Sequence, residues 1–171
     1  MYVNRVNYVN WLASWSFGKC KKFNENRIRK VINTNSSSFL INKINEGKYE
    51  WEFKIINIDN NDDYAELDIG IWKTRFKKKI TNSWFNSGAN AYVFSFNQGI
   101  LWDKKEQLNW KKYGIKVKSG YTINMILDID KRTLSFNIND KDYGVAFDNI
   151  EVTSYTAAIN CYSKGTHIEL L

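Results

Sequence analysis

The sequence predicts an all-β fold of short antiparallel strands, closed as a sandwich or a barrel. Three observations predict it. Segment after segment alternates apolar and polar side chains with a period of two, turn-forming residues divide the segments at regular intervals, and no stretch sustains a helical period.

The clearest segment is Tyr49 to Ile55, where Tyr49, Trp51, Phe53 and Ile55 alternate with Glu50, Glu52 and Lys54. This is the pattern of a strand with one face in a core and one in water. Leu67, Ile69 and Ile71 repeat it after the polar stretch Asp59 to Asp63, short enough to join antiparallel neighbours, so these two segments are expected to pair. Tyr92, Phe94 and Phe96 form a third strand, closed by Asn97, Gln98 and Gly99. Ile123 to Ile129 and Leu134 to Ile138 then read as a hairpin across Asp130 to Thr133. A turn at Asn139 to Asp142 leads to Val145 and Phe147, and Ala157 to Cys161 and His167 to Leu171 complete the series. Before residue 47 the reading is coarser: a strand at Ile28 to Ile32 and another at Phe39 to Ile44, separated by Asn33 to Ser38. Val3, Val6, Trp11, Leu12, Trp15 and Phe17 suit either a short helix or an edge strand. The core is expected from Tyr49, Trp51, Phe53, Ile69, Phe94, Leu127, Leu134, Phe136 and Phe147.

At 171 residues, 43% of them hydrophobic and 16% aromatic, the chain can bury one ordinary core without a staple. The two cysteines, Cys20 and Cys161, are far apart and have neither metal-ligand spacing nor the density of a secreted disulfide scaffold, so reduced thiols are expected. Residues 1 to 22 mix Asn, Arg and Lys among apolar residues, unlike a signal peptide, and no apolar run reaches the roughly 18 residues of a membrane span. A cytoplasmic or nuclear protein without membrane contact is the expectation.

Several separated motifs resemble the SPRY domain family. GKYEWEF, from Gly47 to Phe53, is similar to that family's opening strand, and Asp68, Ile69, Gly70 and Ile71 to its next one. The strongest match is VKSGYTINMILDIDKRTLSFNINDKDYGVAF, from Val117 to Phe147; it is similar to a pattern of Gly, an apolar strand ending Leu-Asp, a turn, Leu-Ser-Phe, Asn, and a closing Gly-Val-Ala-Phe. Tyr113 and Gly114 before it, and Tyr155, Ala157 and Ile159 after it, also fall in place. The departures are Tyr121, where the family usually has aspartate after glycine, and Thr156, where proline usually follows tyrosine. The resemblance implies a two-layer antiparallel β-sandwich, jelly-roll-like, over residues 23–171, with residues 1–22 as an extension packed on it. Gly70, Gly120 and Gly144 are expected at turns or close backbone approaches.

Catalytic constellations are incomplete. Glu66 and Asp68 have the alternation of a retaining glycosidase pair, but Ile71 stands where the second catalytic carboxylate would be, so both read as solvent-facing charges on a strand. Asp59, Asn61 and Asp63 open like a calcium loop, yet Tyr64 and Gly70 occupy its glycine and glutamate positions. Asp128 and Asp130 read as turn residues. His167 is the only histidine, and with Cys161 it lacks an orienting group and an oxyanion hole. Neither an enzyme, a metal nor a cofactor is expected.

Binding is the alternative. The net charge of +7 suits an acidic partner or a nucleic acid, and lysines gather at Lys19 to Lys22, Lys77 to Lys79, Lys104 to Lys105 and Lys111 to Lys112, near Trp72, Trp84, Trp102 and Trp110. Their dispersal along the chain favours solvated side chains or an acidic protein surface over nucleic acid. The resemblance implies a module that takes a partner protein or short peptide on loops at one end of the sandwich, as a substrate- or adaptor-recognition unit of a larger complex whose catalytic part is a separate chain. The loop candidates are Asn35 and Ser36, Trp84, Asn86 and Asn90, Trp102, and Tyr162, Ser163 and Lys164. Tyr162 leads them, since a loop aromatic anchors a peptide at low entropic cost, although it equally suits a rim residue packed on its own loop. A lectin-like glycan binder and a basic nucleic-acid binder stand as alternatives.

Overall fold

The computed structural model describes residues 4–5, 20–24, 27–30, 36–39, 43–58, 67–74, 91–96, 98–103 and 111–171, those before residue 43 as backbone alone. Among the described residues the named elements are all strands: β1 (Asn4–Arg5), β2 (Cys20–Asn24), β3 (Arg27–Lys30), β4 (Ser36–Phe39), β5 (Lys48–Asn57), β6 (Leu67–Lys73), β7 (Ala91–Ser95), β8 (Ile100–Asp103), β9 (Lys111–Lys112), β10 (Thr122–Asp128), β11 (Thr133–Ile138), β12 (Lys141–Phe147), β13 (Tyr155–Cys161) and β14 (His167–Leu170). They form two sheets. One runs β12-β11-β10-β5-β14-β3-β2, with β1 pairing parallel to β5 at Tyr49 and Glu50; the other runs β4-β13-β6-β7-β8-β9. All other pairings are antiparallel.

Alternation places the core between the layers. β5 buries Trp51, Phe53 and Ile55 and leaves Glu52, Ile56 and Asn57 exposed. Trp51 faces Met125 and Phe53 faces Ile123 across the β5–β10 pair, and Met125 in turn faces Phe136 on β11. From the opposite sheet, Ile69, Phe94 and Ile159 meet the same cluster, and Leu127, Leu134 and Phe147 are buried in it. Tyr49 is half-buried, packed against this core and stacked on Trp51 with ring centroids 6.2 Å apart.

The β10–β11 hairpin forms as its sequence predicts. Its turn is held by Asp128, whose Oδ1 accepts from the Lys131 backbone N–H at 2.8 Å. The next turn is tighter than expected: Asn139 and Asp140 alone span it, at φ +48° and +63°, and Lys141 already belongs to β12. Asn and Asp tolerate that left-handed backbone better than most residues.

Three expectations about the strands are overturned. Ser36 to Ser38, read as part of a turn before a strand at Phe39, belong to β4. The segments Tyr49–Ile55 and Leu67–Ile71 do not pair: β5 lies in one sheet and β6 in the other, so the chain crosses between layers after Ile58 instead of turning back. Period two reports that a strand has one inward face; it does not report which sheet the strand joins. Asp68, expected to face solvent, is 2% exposed and accepts a hydrogen bond from Asn160 Nδ2 at 3.0 Å. The reason is that β6, β7 and β13 are buried on both faces. The side turned away from the main core, carrying Trp72, Val93, Ala158 and the Asp68–Asn160 pair, is closed off from water.

Gly70 sits where that sheet is tightest. A Cβ built on it would lie 2.1 Å from the Tyr92 carbonyl oxygen on β7, a backbone atom with no freedom to swing aside. Near the N-terminus, β2 runs across the boundary drawn between residues 22 and 23. Cys161 is a buried thiol. The predicted apolar positions from Val3 to Phe17, the Asp59 to Asp63 stretch and Glu66 lie outside the described residues.

Candidate functional site

The connectivity assigns each loop to one of two ends. β13 finishes at Cys161 opposite both Leu67, the start of β6, and Ser36, the start of β4. After five intervening residues the chain enters the facing sheet at His167, opposite Asn57, the end of β5. One end of the sandwich therefore gathers Ser36, Asn57 and Ile58, the stretch Tyr113 to Tyr121, the Asn139–Asp140 turn, and Tyr162 to Thr166. The other end gathers Thr74, Ala91, Trp102 and Asp103, the Ile129 to Arg132 turn, and Asp148 to Ser154.

The candidates divide accordingly. Ser36 is brought beside Cys161, next to Tyr162, Ser163 and Lys164. Trp102 is at the opposite end, in β8 and paired with Val93, half-buried. Asn35, Trp84, Asn86 and Asn90 lie outside the described residues.

The Tyr162 turn is held between the layers. The Thr166 N–H donates to the Ser163 carbonyl at 3.3 Å, and Asn57 Nδ2, from the facing sheet, donates to the Gly165 carbonyl at 3.0 Å. Gly165 has φ +90°, a backbone state that admits glycine and strains other residues. Ser163 is buried and Lys164 exposed, while Tyr162 is half-buried. Its hydroxyl has no hydrogen-bond partner among the described residues, which leaves both the ring and its polar tip available to a ligand.

Next to this turn the chain passes from the edge of one sheet to the middle of the other through Tyr113 to Tyr121. Its anchor is Tyr113, 8% exposed, whose N–H donates to the Gly99 carbonyl at 2.7 Å. The Tyr113 hydroxyl donates to the Gly144 carbonyl at 2.7 Å and accepts from the Phe136 N–H at 3.1 Å. Burial is the main cause that pushes its pKa up to about 12; the Phe136 backbone opposes the shift, and Asp142 and Tyr143 add to it. Further along, Val117 N–H donates to the Phe96 carbonyl at 3.3 Å, and Ser119 Oγ accepts from Ile58 N–H at 2.9 Å. Between these anchors Ile115, Lys116 and Lys118 are exposed. The sequence reading passed over them because they form no lysine run; the signal was the local alternation of Lys116, Val117 and Lys118, outward, inward, outward.

The opposite end has its own network. Lys73, buried beside the Tyr92 ring, pairs with Glu151. Glu151 N–H donates to the Tyr92 hydroxyl at 3.2 Å, and the Tyr155 hydroxyl donates to the Glu151 carbonyl at 2.6 Å. Arg132 holds the same loop by donating to the carbonyls of Ile150 and Asn149. These contacts saturate one another, as in a structural clamp. Cys161 and His167, weighed as nucleophile and base, belong to strands of different sheets, and the thiol is buried.

The family model of the SPRY domain matches residues 48–170. Among solved structures, the chain is similar to the SPRY domain of human HERC1, with a TM-score of 0.76 and 16% identity over 94% of this chain and 96% of that one. It is likewise similar to a human SPRY domain, with a TM-score of 0.65 and 13% identity over 90% of this chain and 96% of that one. The PSpry domain of TRIM65 aligns with a TM-score of 0.68 and 11% identity over 98% of this chain and 93% of that one. At such identities the likeness is one of fold.

Proposed function

Since the chain belongs to the SPRY domain family, whose members serve as protein-interaction modules, we propose that it recognises a partner protein or short peptide at the Tyr162 end of its sandwich and catalyses nothing. The observation that carries this reading is the convergence at that end of loops from both sheets around a half-buried tyrosine whose hydroxyl is unengaged by described residues. A rigid aromatic in a fixed turn loses little entropy on binding, which is what an anchor requires. The net charge of +7 suits an acidic partner. The module acts as the recognition unit of a larger complex, in a reducing compartment where Cys161 stays a thiol.

Affinity capture from cell extract with the wild-type chain, Tyr162→Ala and Trp102→Ala tests it. Tyr162→Ala is expected to release the captured protein, and Trp102→Ala, altered at the other end, to keep it. Retention by both variants would place the recognition surface elsewhere.

A further inference from the structure

Lys111, Lys112, Lys116 and Lys118 are all exposed, and none forms an ion pair or side-chain hydrogen bond with a described residue. Within Lys111 to Lys118 there is no carboxylate. Asp142, whose charge acts on Tyr113, accepts from the Gly144 N–H at 2.7 Å and forms no ion pair with these lysines. Amid these lysines Ile115 is 42% exposed. The backbone beneath is fixed by the bonds of Tyr113 to Gly99, Val117 to Phe96 and Ser119 to Ile58. The result is a strip of four lysines without an ion pair among the described residues, with one exposed apolar side chain, displayed from an ordered scaffold.

We propose that this strip, Lys112 to Lys118, docks an acidic segment of a partner protein: an extended peptide whose Asp and Glu side chains meet Lys112, Lys116 and Lys118 while an aliphatic side chain covers Ile115. The proposal deepens the reading of the Tyr162 end as the recognition surface and rests on it. Charge complementarity selects the occupant. Repelling like charges held on a fixed backbone raise the local potential, and a carboxylate-bearing chain relieves it. Lysines on an edge strand also discourage sheet-to-sheet aggregation, which accounts for Lys111 and Lys112 in β9, the last strand of its sheet. It does not account for Lys116 and Lys118, which lie beyond that strand. A single-stranded nucleic acid would call for exposed aromatic platforms among the lysines, and the one aromatic in the strip, Tyr113, is buried.

The test is fluorescence anisotropy of the full chain with a fluorescein-labelled peptide in which Glu and Asp alternate with Leu and Ile, alongside labelled oligo-dT. The wild type is expected to bind the peptide with an affinity that falls as salt rises. The triple variant Lys112→Ser, Lys116→Ser, Lys118→Ser should bind it about tenfold more weakly at unchanged thermal midpoint. Absence of peptide binding to the wild type, equal binding by the triple variant, or lysine-dependent binding of oligo-dT in place of the peptide would each overturn the proposal. The peptide titration reads the lysines irrespective of Tyr162, so its outcome is separable from the capture experiment.

Discussion

The Tyr113 hydroxyl reaches the Gly144 carbonyl at 2.7 Å and so ties the segment that crosses between the sheets to the bent outer strand β12. The Phe94, Phe136 and Tyr143 rings surround it, with centroids 5.3 to 6.2 Å from its own. Tyr113→Phe keeps the ring but leaves the Gly144 carbonyl and the Phe136 N–H without this partner. A loss of about 1–3 kcal/mol is expected, measured by urea denaturation near neutral pH.

The same residue predicts a pH dependence. Its folded-state pKa is raised from 10.0 to about 12, so the folded chain holds the phenol proton more tightly than the unfolded chain does. The stability from this group is complete below pH 10 and is lost as pH rises towards 12. Denaturation midpoints across that range should fall more steeply for the wild type than for Tyr113→Phe; parallel curves would refute the assignment.

Gly70 should tolerate no side chain. In Gly70→Ala the new methyl meets the Tyr92 carbonyl, and β6 and β7 must separate or slip. A cost of about 3 kcal/mol, or failure to fold, is expected, read from thermal unfolding.

Trp51 separates volume from polarity. It is 3% exposed, and its indole N–H has no acceptor among the described residues. Trp51→Ala should cost about 3–5 kcal/mol through the cavity it opens. Trp51→Phe forfeits no hydrogen bond and should cost clearly less; equal losses in urea titrations would mean that the nitrogen matters.

Lys73 is expected to matter through the loop it holds. Lys73→Met keeps much of the buried stem but removes the ammonium that pairs with Glu151. Amide hydrogen exchange should accelerate at Glu151, and at Thr74, whose N–H donates to the Ser154 carbonyl, while β10 and β11 stay protected.

What the sequence made legible is what short range determines. The β10–β11 hairpin pairs neighbours in the chain, and its apolar positions match in register, Met125 with Phe136 and Leu127 with Leu134. The inward faces of β5 and β11 followed from alternation alone. Partner choice was less legible: β5 and β6 are consecutive, each has an inward face, and nothing in either pattern records that they belong to opposite layers. Asp68 was misread for a related reason, because a carboxylate at an outward position implies water only when that side of the sheet is open. The candidate site was half legible. Tyr162 to Lys164 and Ser36 do converge, whereas Trp102, read as a loop residue beside them, lies within β8, and strand direction places it at the far end.

The two layers differ in how freely their residues can vary. In β5, β10 and β11 one side chain in two borders on solvent, and Glu52 or Lys54 can change with little disturbance to the core. In β6, β7 and β13 neither side offers that freedom, since a new charge on either one would be stranded without water. Sequence change is thereby directed to the loop ends and to the open surface of the other layer, while β6, β7 and β13 hold still beneath them.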